Sequence, residues 1–168
     1  MFFPDCERNE MNCESYEAST LPAFGFAFNA SSPQFASLFT PLLLPSVSPN
    51  PNIPVPVIND TINVGDGIQI LQTSIYQISY TLTISLENIP TAPGAGRFFL
   101  SLNTPNNVIA GSGTAIRSNV TGTGEVDISS GLILINLNSG NVIRIVPVEL
   151  IGTVDIRAAA LTVVQLGS

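Results

Sequence analysis

Histidine, lysine and tryptophan are absent from the 168 residues, and the only two cysteines, Cys6 and Cys13, fall within the first thirteen positions. From residue 14 onward no side chain titrates near neutral pH, no thiol is available and no amine can form a Schiff base. Most general-base, covalent and metal-assisted catalysis depends on those groups, so no enzymatic activity and no cofactor are expected. Charge is scarce too: 10% of residues are charged against 45% apolar, and the mean hydropathy is +0.39. A lone monomer of that balance leaves apolar surface in water, which implies cover by other subunits.

The few charges are unevenly placed. Residues 1–20 carry Asp5, Glu7, Glu10, Glu14 and Glu17 against Arg8, a net of −4; the remainder carries seven acids against four arginines, a net of −3. There is no basic patch to displace counterions, so nucleic acid is excluded as a partner. No run approaches the ~18 apolar residues of a membrane span. The opening residues lack the basic and continuous apolar regions of a signal peptide, so none is expected.

What is present builds strands. The length is that of one domain, read as an acidic N-terminal connector tail (residues 1–20) followed by a single β domain (residues 21–168). Phe24, Phe26 and Phe28 alternate with small residues and line one face of a strand. Residues 31–60 hold seven of the thirteen prolines, which reads as a long loop, since proline cannot donate to a sheet ladder. A short helix is expected to open it, with Ser32 as N-cap and Phe35, Leu38 and Phe39 at helical spacing. From Tyr76 to Leu86 every second residue is apolar and the alternate ones are Gln, Ser or Thr, the signature of a long half-buried strand. Leu132–Leu137 is apolar on both faces apart from Asn136 and is expected to be buried on both. Asn138-Ser139-Gly140 predicts a tight turn into Val142–Val146, and Ala158–Ala160 tight packing in the last strand. Eight to ten such strands, with turn signals every 8–12 residues, predict an all-β jelly-roll sandwich.

Three stretches, Phe26-Ala27-Phe28-Asn29, Thr73-Ser74-Ile75-Tyr76-Gln77-Ile78 and Ala159-Ala160-Leu161-Thr162-Val163-Val164, occur in an order that resembles one family. It is the C-terminal domain of the collagen-like glycoproteins of bacterial spore surfaces, a jelly roll of the tumour-necrosis-factor and complement type. The resemblance covers about residues 23–167. It implies a homotrimer packed around a three-fold axis, and further trimers joined in a fibre or layer. It also implies a place on the spore surface, in the exosporium or an endospore appendage, with spore-coat or exosporium proteins as other partners. The chain departs from that family in having no Gly-X-Y tract. The acidic, cysteine-bearing tail in its place resembles the connector of the thin endospore appendages. A self-assembling structural subunit is therefore expected. The alternative is a carbohydrate- or receptor-binding knob, weakened by the absence of tryptophan and the presence of only three tyrosines to stack a sugar ring.

Candidate site residues follow from these expectations. In the tail, Phe2 and Phe3 read either as apolar anchors for a neighbouring trimer or as a frayed terminus, and Cys6 and Cys13 are thiols able to bridge locally, to another subunit or to the spore coat, or to stay reduced. For the trimer interface the candidates are Tyr76, Tyr80, Leu134, Arg144, Arg157 and Leu161, the two arginines because they interrupt apolar strands and would meet Asp155 or Glu149 across subunits. Glu125 and Asp127 share a strand face, which favours a solvated edge over a hydrolase pair. The oxygen-rich stretch from Asn59 to Asp66 does not have the spacing of a calcium loop. No metal site is expected.

Overall fold

The structure is a computed structural model and describes residues 22–30, 33–45, 60–87, 94–118 and 125–167. Within them ten strands form two antiparallel sheets laid face to face. The first sheet runs β1 (Phe24–Asn29), β10 (Thr153–Gly167), β5 (Ser74–Glu87), β8 (Glu125–Leu137), with β2 (Gln34–Phe35) added to the lower part of β10. The second runs β3 (Thr61–Asn63), β4 (Ile68–Ile70), β9 (Val142–Ile151), β6 (Ala95–Leu102), β7 (Thr114–Arg117). Strands adjacent in sequence repeatedly lie in opposite sheets, as β8 to β9 and β9 to β10 do. That crossing makes the sandwich a jelly roll.

The 14-residue β5 is the spine, flanked along nearly its whole length by β10 and β8. Its period of two is resolved in one direction. Tyr76, Ile78, Tyr80, Leu82, Ile84 and Leu86 turn inward and are buried, facing Phe98, Leu100, Ile143 and Ile145 of the second sheet. A fully buried side chain of this size contributes about 1.5–3 kcal/mol, so this row contributes about 9–18 kcal/mol, comparable to the net stability of a whole domain. The β8–β9 turn forms as predicted: Asn138 O accepts from Asn141 N at 3.0 Å and Gly140 takes φ 88°, a conformation in which a Cβ would be strained.

Two expectations fail here. No helix opens the proline-rich segment. Gln34–Phe35 pair with β10, and Leu42 and Leu44 are pulled into the core by backbone bonds from Leu42 N to Ile145 O and from Leu44 N to Gly65 O. Pro33 suits a first helical turn, but pairing of Gln34 and Phe35 with β10 and of Ala36 N with Val154 O holds the backbone extended in its place. Leu132 and Leu134 are both 59% exposed, because they point to the outer side of the first sheet, on which no layer packs among the described residues, while Ile133, Ile135 and Leu137 face the core. Ser31, Ser32 and residues 46–59 lie outside the described residues.

Candidate functional site: the outer face of the first sheet

The register of the first sheet determines what its outer side presents. Phe24, Phe26 and Phe28 stand opposite Val164, Thr162 and Ala160 of β10. Those three stand opposite Gln77, Ser79 and Thr81 of β5, which face Leu134, Leu132 and Ser130 of β8. A fourth row joins Ala158, Thr83 and Ile128. All point away from the core, since Gly25, Ala27, Ala159, Leu161 and Val163 are the buried alternates.

No ionisable side chain stands in these four rows. Over these four rows the first sheet thus offers water a face of phenylalanine, leucine, isoleucine, alanine and hydroxyl residues, with Ile128 66% exposed at its β8 margin; the next row, Val126, Ser85 and Asp155, carries the Arg157–Asp155 pair that bounds it. Phe26 and Phe28 stack, with ring centroids 5.6 Å apart and planes at 25°. Beside them Ala158 and Ala160 leave a trough of about 180 Å³, walled by the two rings and by Thr81 and Thr83. Small residues on β10 were expected to pack tightly. Ala159 does so in the core, while Ala158 and Ala160 form the floor of this trough instead.

Three of the predicted interface residues prove to be core residues. Tyr76, Tyr80 and Leu161 are 0%, 2% and 0% exposed, so within the folded chain they have no surface to offer a neighbour. The alternation in β5 is apolar/hydroxyl, and the apolar half was claimed by the opposite sheet. Tyr80 has a different task. Its hydroxyl donates to Ser112 O at 2.8 Å and lies 3.0 Å from Thr114 Oγ1, and Ser129 Oγ donates to Thr114 Oγ1 at 2.8 Å. This chain of hydroxyls ties β8, β7 and β5 to the loop before β7. Burial pushes the Tyr80 hydroxyl above its usual pKa, with the bond to Thr114 working against that shift.

Leu134 does lie on the outer face, in the row of Gln77, Val164 and Phe24. Arg144 is on the second sheet. Its Nε donates to Asp66 Oδ2 at 3.0 Å and its Nη1 to Asn103 O at 2.8 Å, which clamps the β3–β4 hairpin to the end of β6. Asp66 is thereby occupied by a cation of the chain itself, which removes one oxygen from the stretch considered for calcium. Arg157 sits at the bulge in β10, half exposed, with Nε 3.0 Å from Asp155 Oδ2. The pair expected between subunits is therefore made within one. Asp155 is buried, and its Oδ1 has no hydrogen-bond partner among the described residues. Asp127 is exposed and accepts from the Ile128 amide at 2.7 Å. Phe2, Phe3, Cys6 and Cys13 lie outside the described residues.

A second concavity, of about 270 Å³, opens at the far end of the other sheet, between Arg97, Arg117 and Glu149 over Ala95, Ala115 and Ile151. Among the described residues no group of three or more Asp, Glu, His or Cys side chains is placed to hold a metal ion. No helix of the described residues is long and apolar enough to cross a membrane.

No protein-family model matches the sequence, and no curated protein matches it. Solved structures do match it. One is the Eiger TNF of S. frugiperda, superposing with a TM-score of 0.67 over 89% of this chain and 95% of that one, at 12% sequence identity. The fold is a TNF-like jelly roll.

Proposed function

We propose that this chain is a self-assembling structural subunit. Copies join as a homotrimer through the outer face of the first sheet, and the N-terminal tail links one trimer to the next in a spore-surface layer or appendage fibre. The observation that carries the trimer is the uncharged face itself. Sheet faces turned to water carry charge, and soluble monomers rarely keep an apolar patch of this extent open. The edge strand β8 reinforces it. Its exposed Val126, Ile128, Leu132 and Leu134, and a backbone edge with no strand paired beyond it among the described residues, would invite uncontrolled pairing unless a defined neighbour covered them. The TNF-like fold supports the same assembly. The spore-surface setting and the linking role of Phe2, Phe3, Cys6 and Cys13 rest on the sequence resemblance and on the tail's acidity and apolar start.

Molar mass by light scattering behind size exclusion, with and without reductant, tests the proposal. A trimer as the smallest stable species is expected. Larger species that collapse to trimers on reduction would assign the links to Cys6 and Cys13. A well-behaved monomer at micromolar concentration would end the structural reading, and a glycan screen would then test the knob alternative.

A further inference from the structure

The four arginines of the folded domain divide into two pairs. Arg144 and Arg157 are engaged with Asp66 and Asp155. Arg97 and Arg117 form no ion pair among the described residues, and Arg97 is held only over the Phe99 ring, 5.1 Å from its centroid. Both unpaired cations rim the same concavity. The β6–β7 register sets Ala95 against Arg117 and Arg97 against Ala115, so the guanidinium groups rise from diagonal positions with alanines between them. Glu149, directly opposite Arg97 on β9, is the one acid there and leaves the basin with a single net positive charge. On one flank of the basin β7 is an edge strand with no strand paired beyond it among the described residues.

The acidic segment of this chain is its own residues 1–20, with five carboxylates, one arginine and the apolar start Phe2-Phe3. Where that segment leaves the domain matters. Ala23 is held at the Gln165 end of β10, donating to Gln165 Oε1 at 2.7 Å and accepting from Gln165 N at 2.8 Å. The basin lies at the opposite end, where Ala95 pairs with Ile151 just before β10 begins at Thr153. At about 3.3 Å per residue the two ends are roughly 35 Å apart. A tail leaving one end and a receptor at the other form a head-to-tail contact, and such contacts propagate into open chains of subunits wherever the rotation between copies does not close a ring.

We infer that the Arg97–Arg117 basin is the receptor for the acidic N-terminal segment of a neighbouring copy. Carboxylates of that segment meet the two guanidinium groups, and its apolar residues lie over Ala95, Ala115 and Ile151. The inference rests on the proposed linking role of the tail and names the surface that receives it. The domain has no cysteine of its own, so a bond from Cys6 or Cys13 would join tails to one another, and the basin would supply the contact between tail and domain.

The test uses the full chain and light-scattering mass as readout. Wild type is expected to form species larger than the trimer that shrink as salt rises, since exposed ion pairs are screened. Arg97→Glu with Arg117→Glu should weaken this association roughly tenfold or more, the effect of losing two partly exposed pairs and adding repulsion. Adding Glu7→Lys, Glu10→Lys and Glu14→Lys to the same chain should restore it, and Glu149→Gln alone should strengthen it. Arg97→Gln with Arg117→Gln, checked for an unchanged melting temperature, gives the same direction without charge reversal. A variant with Phe2 and Phe3 changed to Ser and both cysteines changed to Ser separates the two ideas. If it disperses the larger species while the arginine variants keep them, the tail links trimers but the basin is not its receptor. If neither disperses them, or wild type never exceeds a trimer, the tail-linking reading and the basin inference both fail.

Discussion

At the scale of single residues, Tyr80 shows how one side chain can be read for the wrong partner. Its hydroxyl is the polar end of an otherwise apolar core row, and it is satisfied inside the chain by Ser112 O and Thr114. Replacing it with Phe leaves the Ser112 carbonyl without its donor and the Thr114 hydroxyl without its contact to the phenol oxygen, so Tyr80→Phe should cost about 1–3 kcal/mol in chemical denaturation. Its pKa, raised by burial, also gives a pH signature. Because the folded state holds the proton more tightly than the unfolded chain, stability is intact below the ordinary tyrosine value of 10.0 and falls as pH climbs above it. Tyr76, raised by burial and by the nearby Asp60 carboxylate, acts in the same direction. Urea midpoints measured from pH 8 to 11 should therefore decline at the alkaline end, and less steeply in Tyr80→Phe. Gly131 faces the same ring. A Cβ there would stand 2.6 Å from Tyr80 Cε1, so Gly131→Ala should destabilise by about 1–3 kcal/mol through overpacking, visible as a lower melting temperature.

At the scale of elements, β8 concentrates the difference between pattern and placement. Its apolar run identified a strand, but a run apolar on both faces fits either a strand buried on both sides or an edge strand whose second face waits for a partner. Leu132→Asp with Leu134→Asp discriminates. Both side chains point outward in the single chain, so the fold should survive with unchanged circular dichroism while the trimer dissociates in light scattering. Unfolding of the variant, or a trimer as stable as wild type, would contradict the assigned interface. The proline-rich segment carries a parallel lesson. Spacing alone fitted Phe35, Leu38 and Phe39 to a helix. The pairing of Asp155 with Phe35 and Ile156 with Gln34, which draws the segment along β10, links residues more than a hundred positions apart and left no local signal. The β3–β4 hairpin depends on Arg144 in the same non-local way. Arg144→Ala should cost about 1 kcal/mol, a modest loss because the clamp is partly exposed.

At the scale of the whole molecule, the proposed assembly assigns different work to two surfaces. In it the outer face of the first sheet carries closed, symmetric association and the cationic basin at the far end carries open extension. They should respond differently to solvent. Raising salt should leave the trimer intact or tighten it, because apolar burial is not screened, while the mass above the trimer should decline. Light scattering across a salt series checks both with one sample.

Alternation of apolar and hydroxyl residues, turn dipeptides and the scarcity of charge are local properties, and from them the all-β jelly-roll class, the long strand Tyr76–Leu86 and the Asn138–Gly140 turn were legible. A period of two assigns residues to two faces without saying which face the second sheet covers. That choice sent Tyr76, Tyr80 and Leu161 inward and left Phe24, Phe26, Phe28, Leu132 and Leu134 outside. Long-range register settled the rest: it put Asp66 within reach of Arg144, closed Arg157 onto Asp155 across a bulge, and brought Arg97 and Arg117 to one basin at the end opposite Ala23. These pairings depend on how the two sheets stack, which residues adjacent in sequence do not encode.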